Sequence, residues 1–215
     1  MYNPKQNEET RTEVMHSLIR THPLGAWISM GDGELIANHI PFDIDPARGE
    51  FGTLVGHVAR GNPIWRNPPS AIPTLVIFQG PQVYITPSWY PSKHEHGKAV
   101  PTWNYAVVHA VGVPVFIQDS AWLHQHVSRL TDRHEASQAL PWSVSDAPAD
   151  YVDKQLAAIV GVEIPISKLT GKWKMSQNRS MPDQLGVVAG LLARKDPRAA
   201  DVAAVMQGIL GSSFP

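Results

Sequence analysis

Residues 34–65 read ELIANHIPFDIDPARGEFGTLVGHVARGNPIW, and the strand pattern of the chain is clearest in this stretch. Two apolar runs, residues 35–42 and 51–55, lie on either side of a turn rich in proline, glycine and charged side chains. The pattern predicts two antiparallel strands. The second strand is expected to end at Gly56 and to pass into a short helical turn.

Polar residues in and after these strands suggest a ligand site. Asn38 and His39 interrupt the first strand, and His57 and Arg60 lie in the expected helical turn. Gly56 would let a ligand approach the backbone closely, and the N–H groups at the start of a helix attract anions. Arg60 adds a cation whose donors suit a phosphate. The stretch therefore predicts a platform for a flat, phosphate-bearing ligand. The simpler alternatives are a surface arginine after a hairpin and a hydrogen-bonded Asn38–His39 pair in the core.

Five motifs occur in the same order as in a known family. They are ANHIPF (37–42), GHVARGNPIW (56–65), GPQVYITPSWYPSK (80–93), VPTWNYAVVHAVG (100–112) and GKWKMSQNR (171–179). Through them, the chain from residue 1 to about residue 192 resembles the PaiB family of FMN-binding negative transcriptional regulators. The resemblance implies an α+β fold, an FMN-binding split β-barrel with flanking helices and a C-terminal helical segment. It also implies a homodimer with FMN at the interface.

The resemblance implies roles for individual residues in holding FMN. Asn38 and the backbone of its strand would meet the edge of the isoalloxazine ring, which needs paired donors and acceptors, with His39 beside it. Gly56, His57 and Arg60 would hold the phosphate end. Split-barrel flavoproteins place a serine, a threonine or a basic group there, and this chain has no hydroxyl between His57 and Arg60.

Three further cofactor-binding candidates lie outside this stretch. Lys172, in GKWKMSQNR, would form a second arm toward an anionic cofactor, and surface charge is the alternative. Trp89 and Trp103 belong to residues 87–104, a connection long enough to bind a ligand or a partner. Tryptophan is enriched at interfaces, although a surface aromatic cluster would look the same. No catalytic residue is assigned. No metal ligand is expected, because the chain has no cysteine and no HExxH motif.

Apolar spacing and turn residues predict the remaining elements. We expect strands at residues 25–30, 73–78, 82–86, 103–111, 113–117 and 162–169, and helices at 8–21, from Asp119 to about 135, from Pro148 to Gly161, from Ser180 and from Pro197. Asn7 is a candidate helix cap, Gly31-Asp32-Gly33 and Gly80-Pro81 are expected turns, and residues 66–69 an expected loop. Strands first and helices later indicate an α+β chain. Residues 1–180 would form the split-barrel domain, and 181–215 a helical segment packed on it.

Composition limits the possible functions. The chain has 18 Lys and Arg against 19 Asp and Glu, which argues against a strong electrostatic grip on DNA. The absence of cysteine excludes disulfides and thiolate catalysis. No apolar run approaches the roughly 18 residues of a membrane span. The polar N-terminus lacks the apolar core of a signal peptide, so a cytoplasmic protein is expected.

Three functions are compatible with these patterns. The first is an FMN-binding repressor of transcription, although the sequence contains no recognisable helix-turn-helix for direct DNA contact. The second is a flavin-dependent oxidoreductase, because split barrels related to the family include flavin reductases and pyridoxamine-phosphate oxidases. The third is a haem-handling protein, because histidines in such barrels sometimes ligate iron.

Overall fold

The structure is a computed structural model that describes residues 1–31, 33–66 and 72–211. The chain divides into two compact units. The first unit consists of Met1–Met15, Gln79–Val108 and Thr170–Pro215, and the second of His16–Phe78 and His109–Leu169. The predicted boundary after residue 180 stays a prediction.

Within the described residues, nine strands form one antiparallel sheet. The strands are β1 (Glu8–Glu9), β2 (Leu24–Gly31), β3 (Glu34–Pro41), β4 (Asp43–Asp45), β5 (Thr53–Ala59), β6 (Thr74–Ile85), β7 (Thr102–Gly112), β8 (Val115–Ile117) and β9 (Ile159–Lys174). Their order is β3-β2-β6-β7-β9-β5-β4, and β1 and β8 also pair with β9. Strand β3 therefore lies at one edge of the sheet.

Six α-helices complete the described part of the chain. They are α1 (Thr12–Thr21), α2 (Pro91–His96), α3 (Ser120–Glu135), α4 (Ala149–Ala157), α5 (Met181–Leu192) and α6 (Pro197–Gly211). The combination confirms the predicted α+β class and the C-terminal helical segment. None of these described helices has the length and apolar character needed to cross a membrane.

An aromatic cluster forms the core of the second unit. The Trp27 ring lies 6.2 Å from the Phe42 ring and 6.1 Å from the Phe116 ring, measured between centroids. The indole N–H of Trp27 donates to the hydroxyl of Thr74, which donates in turn to the carbonyl of Ile28 at 2.6 Å. The indole N–H of this fully buried tryptophan therefore has a hydrogen-bond partner, as buried polar groups normally do.

In the first unit, Trp89 packs against two glycines of α5. A Cβ at Gly190 would lie 2.4 Å from the Trp89 ring, and one at Gly186 would lie 2.2 Å from the Trp89 carbonyl oxygen. No larger residue fits at either position without displacing Trp89. Nearby, the carboxylate of Asp183 accepts from the backbone N–H of Ser92 at 3.1 Å and from its hydroxyl at 2.8 Å. These contacts join α2 to α5.

The predicted starts of three late helices are confirmed. Asp119 Oδ1 accepts from the backbone N–H of Trp122 at 2.7 Å and so caps α3. Ser180 Oγ accepts from the N–H of Asp183 at 3.4 Å at the start of α5. Helix α6 begins at Pro197, a residue pre-organised for the first helical position.

Two predictions near strand β1 and strand β6 are wrong. Helix α1 begins at Thr12 rather than at residue 8, and Asn7 does not cap it. Residues 8 and 9 instead pair with Lys172 and Gly171 of β9, because the sheet offers them a hydrogen-bonding partner. Gly80-Pro81 does not turn the chain, since both residues lie inside the continuous strand β6.

The predicted ends of strand β5 and helix α4 are also wrong. Strand β5 continues through Gly56 and His57 to Ala59, because its pairing with β9 continues with His57 opposite Gly161. The helical turn comes later, at Pro63–Trp65. Helix α4 ends at Ala157, and Gly161 lies in β9, where a Cβ would be 2.3 Å from the Trp122 ring. The predicted turn residue Asp32 and loop residues 67–69 lie outside the described residues.

Candidate functional site

The side-chain amide of Asn38 has its oxygen hydrogen-bonded, whereas its nitrogen is unpaired within the described residues. On β3, its Oδ1 accepts a hydrogen bond from Asn62 Nδ2 at 2.6 Å, and Asn62 Oδ1 caps the following turn by accepting from Ile64 N–H. Its own Nδ2 is buried and has no partner within the described ranges. An unpaired buried donor is costly unless a ligand or water accepts from it. This nitrogen therefore marks a place for an acceptor atom.

His39 points to the opposite side of the β2–β3 hairpin. It lies opposite Ala26, and cross-strand partners share one face of an antiparallel pair. This face, the hairpin's outer face, carries seven apolar residues and His39: Leu24, Ala26, Ile28, Met30, Leu35, Ala37, His39 and Pro41. Leu35 is 74% exposed and Leu24 is 61% exposed. Asn38 and His39, adjacent in sequence, therefore serve different faces.

His57 pairs with a histidine that the sequence did not single out. Its Nδ1 lies 3.0 Å from Nε2 of His126 on α3. The His126 ring stacks on that of Trp122, with 5.2 Å between centroids and 22° between planes. Burial lowers the pKa of His57 below its usual value. Burial, together with His57 and Arg129, lowers the pKa of His126 to about 4, so both rings are neutral at pH 7.

Sequence reasoning missed His126 because a single histidine in an amphipathic helix carries no distinctive signal. The available hint was its position four residues after Trp122, which places both rings on one face of α3. Its partner on β5 could not be read from the spacing.

Gly56 serves packing inside the strand rather than the approach of a ligand at a strand end. A Cβ at this position would lie 3.1 Å from the Phe42 ring and 3.3 Å from Ile40. The missing side chain makes room for a core phenylalanine. Its predicted cofactor contact stays a prediction.

Arg60 has several partners inside the protein. Its guanidinium donates to the carbonyls of Ala157 at 2.7 Å and Ile159 at 3.0 Å, and to Gln118 Oε1 at 2.8 Å. It also lies 5.5 Å from the centroid of the Trp65 ring. These bonds tie the end of β5 to the start of β9. The predicted phosphate contact stays a prediction, and it would compete with these bonds.

Lys172 belongs to a group of cations in the first unit. It is 7% exposed, its Nζ donates to the carbonyl of Tyr2 at 3.0 Å, and it lies 5.5 Å from the centroid of the Tyr105 ring. Among the described residues, no carboxylate lies within 4.0 Å of it. Buried cations are normally paired with an anion, and the predicted contact of Lys172 with an anionic cofactor stays a prediction.

Two more cations, Lys174 and Arg179, accompany Lys172. Lys174 Nζ donates to the hydroxyl of Thr102 and, at 2.7 Å, to the carbonyl of Trp103. Burial, together with Lys172 and Arg179, lowers the pKa of Lys174. The three positive side chains therefore repel one another, and a negative partner would offset this repulsion.

The two predicted tryptophans have different surroundings. Trp89 is seated on the α5 glycines described above. Trp103 is 48% exposed, donates through Nε1 to Gln82 Oε1 at 3.1 Å and meets Tyr84 edge to face at 6.3 Å. Trp103 therefore presents an aromatic surface, whereas Trp89 is a packing residue of the first unit.

The eight predicted site residues fall into two sets. Asn38, His39, Gly56, His57 and Arg60 belong to the second unit, and Trp89, Trp103 and Lys172 to the first. Within the first unit, Lys174 links the Lys172 group to the Trp103 backbone. In the ranges that the structure describes, no group of three or more metal-ligating side chains lies close enough to hold a metal ion.

Known proteins resemble this chain in sequence and in fold. The family model described as "Putative FMN-binding domain" matches residues 1–168. The protein of Bacillus subtilis (strain 168) named Protease synthase and sporulation protein PAI 2 is 29% identical over 207 residues, which are 96% of this chain and 97% of that protein. The uncharacterized protein AN0679 of Emericella nidulans is 33% identical over 225 residues, covering 88% of this chain and 90% of that protein.

A solved structure extends the comparison to the fold. The FAD and heme binding protein from Mycobacterium smegmatis matches with a TM-score of 0.60 at 18% identity, covering 83% of this chain and 78% of that one. This likeness confirms the α+β split-barrel fold, and the family model confirms FMN as the cofactor. The chain therefore belongs to the PaiB family of FMN-binding proteins.

Proposed function

We propose that the protein is a negative transcriptional regulator of the PaiB type that binds FMN at a homodimer interface in the cytoplasm. The observation that carries the flavin part is the buried cation Lys172, which lacks a carboxylate among the described residues. The regulator role is supported by the five motifs shared with the family. Bound FMN supplies a flat, redox-active ring system and an anionic phosphate.

The Asn38 side chain fits the ring end of FMN. Its buried Nδ2 is a donor without a partner in the described part of the chain, and the isoalloxazine edge carries acceptor atoms. We therefore assign Asn38 to the ring edge. The hydrogen bond from Asn62 to Asn38 Oδ1 fixes the orientation of the amide.

Within the first unit, Lys172, Lys174 and Arg179 fit an anionic group such as a phosphate. A phosphate offers several acceptor oxygens and negative charge to a group of cations that otherwise repel one another. Lys174 and Arg179 add to Lys172, the one member of this group that the sequence predicts as a cofactor contact. The other predicted contacts stay predictions, namely those of His39, Gly56, His57, Arg60, Trp89 and Trp103.

The hairpin's outer face supports the homodimer. Seven of its eight residues are apolar, and it lies on the edge strand β3 and its neighbour β2. Exposed contiguous apolar surface of this kind marks protein interfaces. A twofold dimer would place this face against its own copy and bury it. Asn38 lies on the other face of the hairpin, so this face supports the dimer and not the position of the flavin.

An absorbance spectrum of the purified protein, followed by titration with FMN, tests the flavin part. We expect flavin bands, or saturable quenching of tryptophan fluorescence as FMN is added. Absence of any saturable change would overturn the proposal. Reduction of the bound flavin by NADH or NADPH would indicate an oxidoreductase instead, and a Soret band after addition of haem would indicate a haem-handling protein.

A further inference from the structure

A cavity of about 290 Å³ lies in the second unit among α3, α4, residues 142–147 and the start of β9. Its volume is at the lower end of the range for small-molecule pockets, which begins near 300 Å³. Of the predicted FMN contacts, His57 alone belongs to the described lining of this cavity, and neither Asn38 nor Lys172 does. The cavity is therefore a candidate site for a second ligand, and the chemistry of its lining indicates the class of that ligand.

The walls are mostly apolar and aromatic. Aliphatic side chains such as Val127, Val152 and Leu156 form the base, and Trp142 and Tyr151 stand at the rim. Trp142 is 47% exposed and Tyr151 is 55% exposed, so both rings are available to cover a ligand. Among the described residues that line the cavity, none is charged. Such a lining disfavours ions and favours flat apolar molecules.

Thr131, Gln155 and His57 supply polar side chains to this wall, and the His57 ring is oriented by its contact with His126. Its Nδ1 is used by His126, whereas its Nε2 has no hydrogen-bond partner in the ranges that the structure describes. In a neutral pair, one ring donates across the Nδ1–Nε2 contact and the other accepts. If His57 donates there, its Nε2 accepts from a ligand; if it accepts there, its Nε2 donates.

We propose that this cavity binds an uncharged ligand of one or two aromatic rings that carries a hydroxyl or carbonyl group hydrogen-bonded to His57 Nε2. The rings lie between the aliphatic base and the Trp142 and Tyr151 side chains. The proposal does not depend on the regulatory function, because binding can be measured directly. In a regulator, such a ligand would be the signal that the protein senses.

The test uses the FMN-loaded full chain and three probes that share one ring system: 2-naphthol, naphthalene and 2-naphthoate. Calorimetry should show saturable binding of 2-naphthol. Naphthalene should bind about two- to tenfold more weakly, since it lacks the hydroxyl that bonds His57. The anion 2-naphthoate should bind least, because no cation lines the cavity. Flavin absorbance is followed in parallel, since release of FMN by 2-naphthol would place the probe in the flavin site and overturn the proposal.

Two variants locate the binding. Ala147→Phe places a ring in the cavity and should abolish binding of 2-naphthol, whereas Ala149→Phe, an exposed position on α4 outside the lining, should leave it unchanged. His57→Phe keeps a flat ring but loses the hydrogen bond, so 2-naphthol and naphthalene should then bind equally. Undiminished binding to Ala147→Phe, or no saturable binding of any probe to the unaltered protein, would refute the cavity as a ligand site.

Discussion

Two neutral histidines face each other inside the second unit, and their burial ties folding to pH. The pKa of His126 falls from 6.5 to about 4 on folding, and that of His57 is also lowered. Above about pH 6.5 both are neutral in either state. As pH falls from about 6.5 to 4, the unfolded chain takes up protons that the folded chain does not. Stability is therefore lost as pH falls through this window.

His126→Phe should weaken this acid sensitivity, because phenylalanine keeps a ring beside Trp122 but cannot titrate. When a histidine takes up a proton only in the unfolded state, the free energy of unfolding falls by up to about 1.4 kcal/mol for each pH unit of acidification. Urea unfolding at pH 7.5 and pH 5.0 measures the loss of stability, which should be smaller in the variant. His124→Phe, an exposed histidine on the same helix, is the control and should leave the loss unchanged. An equal loss in His126→Phe and in the unaltered protein would contradict this account.

Lys172→Gln should weaken FMN much more than riboflavin, because the removed charge is assigned to the phosphate. A hydrogen bond to a charged group contributes roughly 1.5–3 kcal/mol, so FMN affinity should fall by about tenfold or more. Titrations monitored by tryptophan fluorescence give, for FMN and for riboflavin, the ratio of the affinities of the unaltered protein and the variant. Lys168→Gln, an exposed lysine on the same strand, should change neither. An equal loss of affinity for FMN and for riboflavin would show that Lys172 does not contact the phosphate.

At the scale of elements, the proposed homodimer is expected to depend on the β2–β3 hairpin. Leu35→Glu introduces a charge into the hairpin's outer face, which would be buried in the dimer, so dissociation is expected. Light scattering should return twice the chain mass for the unaltered protein and the single chain mass for the variant. Leu140→Glu, at a leucine that is 90% exposed and outside the hairpin, should remain dimeric. A monomeric unaltered protein would rule out the dimer.

The sequence predicted elements best where local chemistry determines them. Asp119 and Ser180 act as helix caps through bonds within three residues, so their signals survive any tertiary context. Gly80-Pro81 and Gly161 look like breaks, yet both lie in strands because sheet pairing and the Trp122 ring outweigh the local preference. Asn7 does not cap α1, because the next two residues form strand β1 and pair with β9.

The candidate site was predictable only in part, for a related reason. The motif around Lys172 was visible, but the lack of a nearby carboxylate depends on tertiary neighbours. Likewise, the sequence showed a cation at Arg60 without showing the carbonyls to which it donates. Asn38 was identified by its place in a motif, whereas its unpaired Nδ2 became visible only after folding.

For the whole molecule, the charge balance predicts weak binding to DNA. The chain has 18 basic and 19 acidic residues, and each neutralised phosphate adds close to one to the log–log salt slope. Isolated protein should therefore bind a fluorescent promoter fragment weakly and with a shallow salt dependence. Titrations at several salt concentrations, with FMN oxidised and then reduced, measure this. A steep slope with sequence-selective binding would refute the expectation, and binding in one flavin state alone would make the cofactor a switch.

The seat of Trp89 on Gly186 and Gly190 has a consequence for the order in which the chain folds. Two glycines in one helix each cost about 1 kcal/mol of helix propensity, so α5 is weak in isolation. Part of its stability in the folded protein comes from the packing of Trp89, about a hundred positions earlier in the chain, against these glycines. Contacts between such distant segments form late and slow folding. We therefore expect pulse-labelling hydrogen exchange to find α5 unprotected until the segment around Trp89 is ordered, whereas α3, capped locally by Asp119, gains protection first.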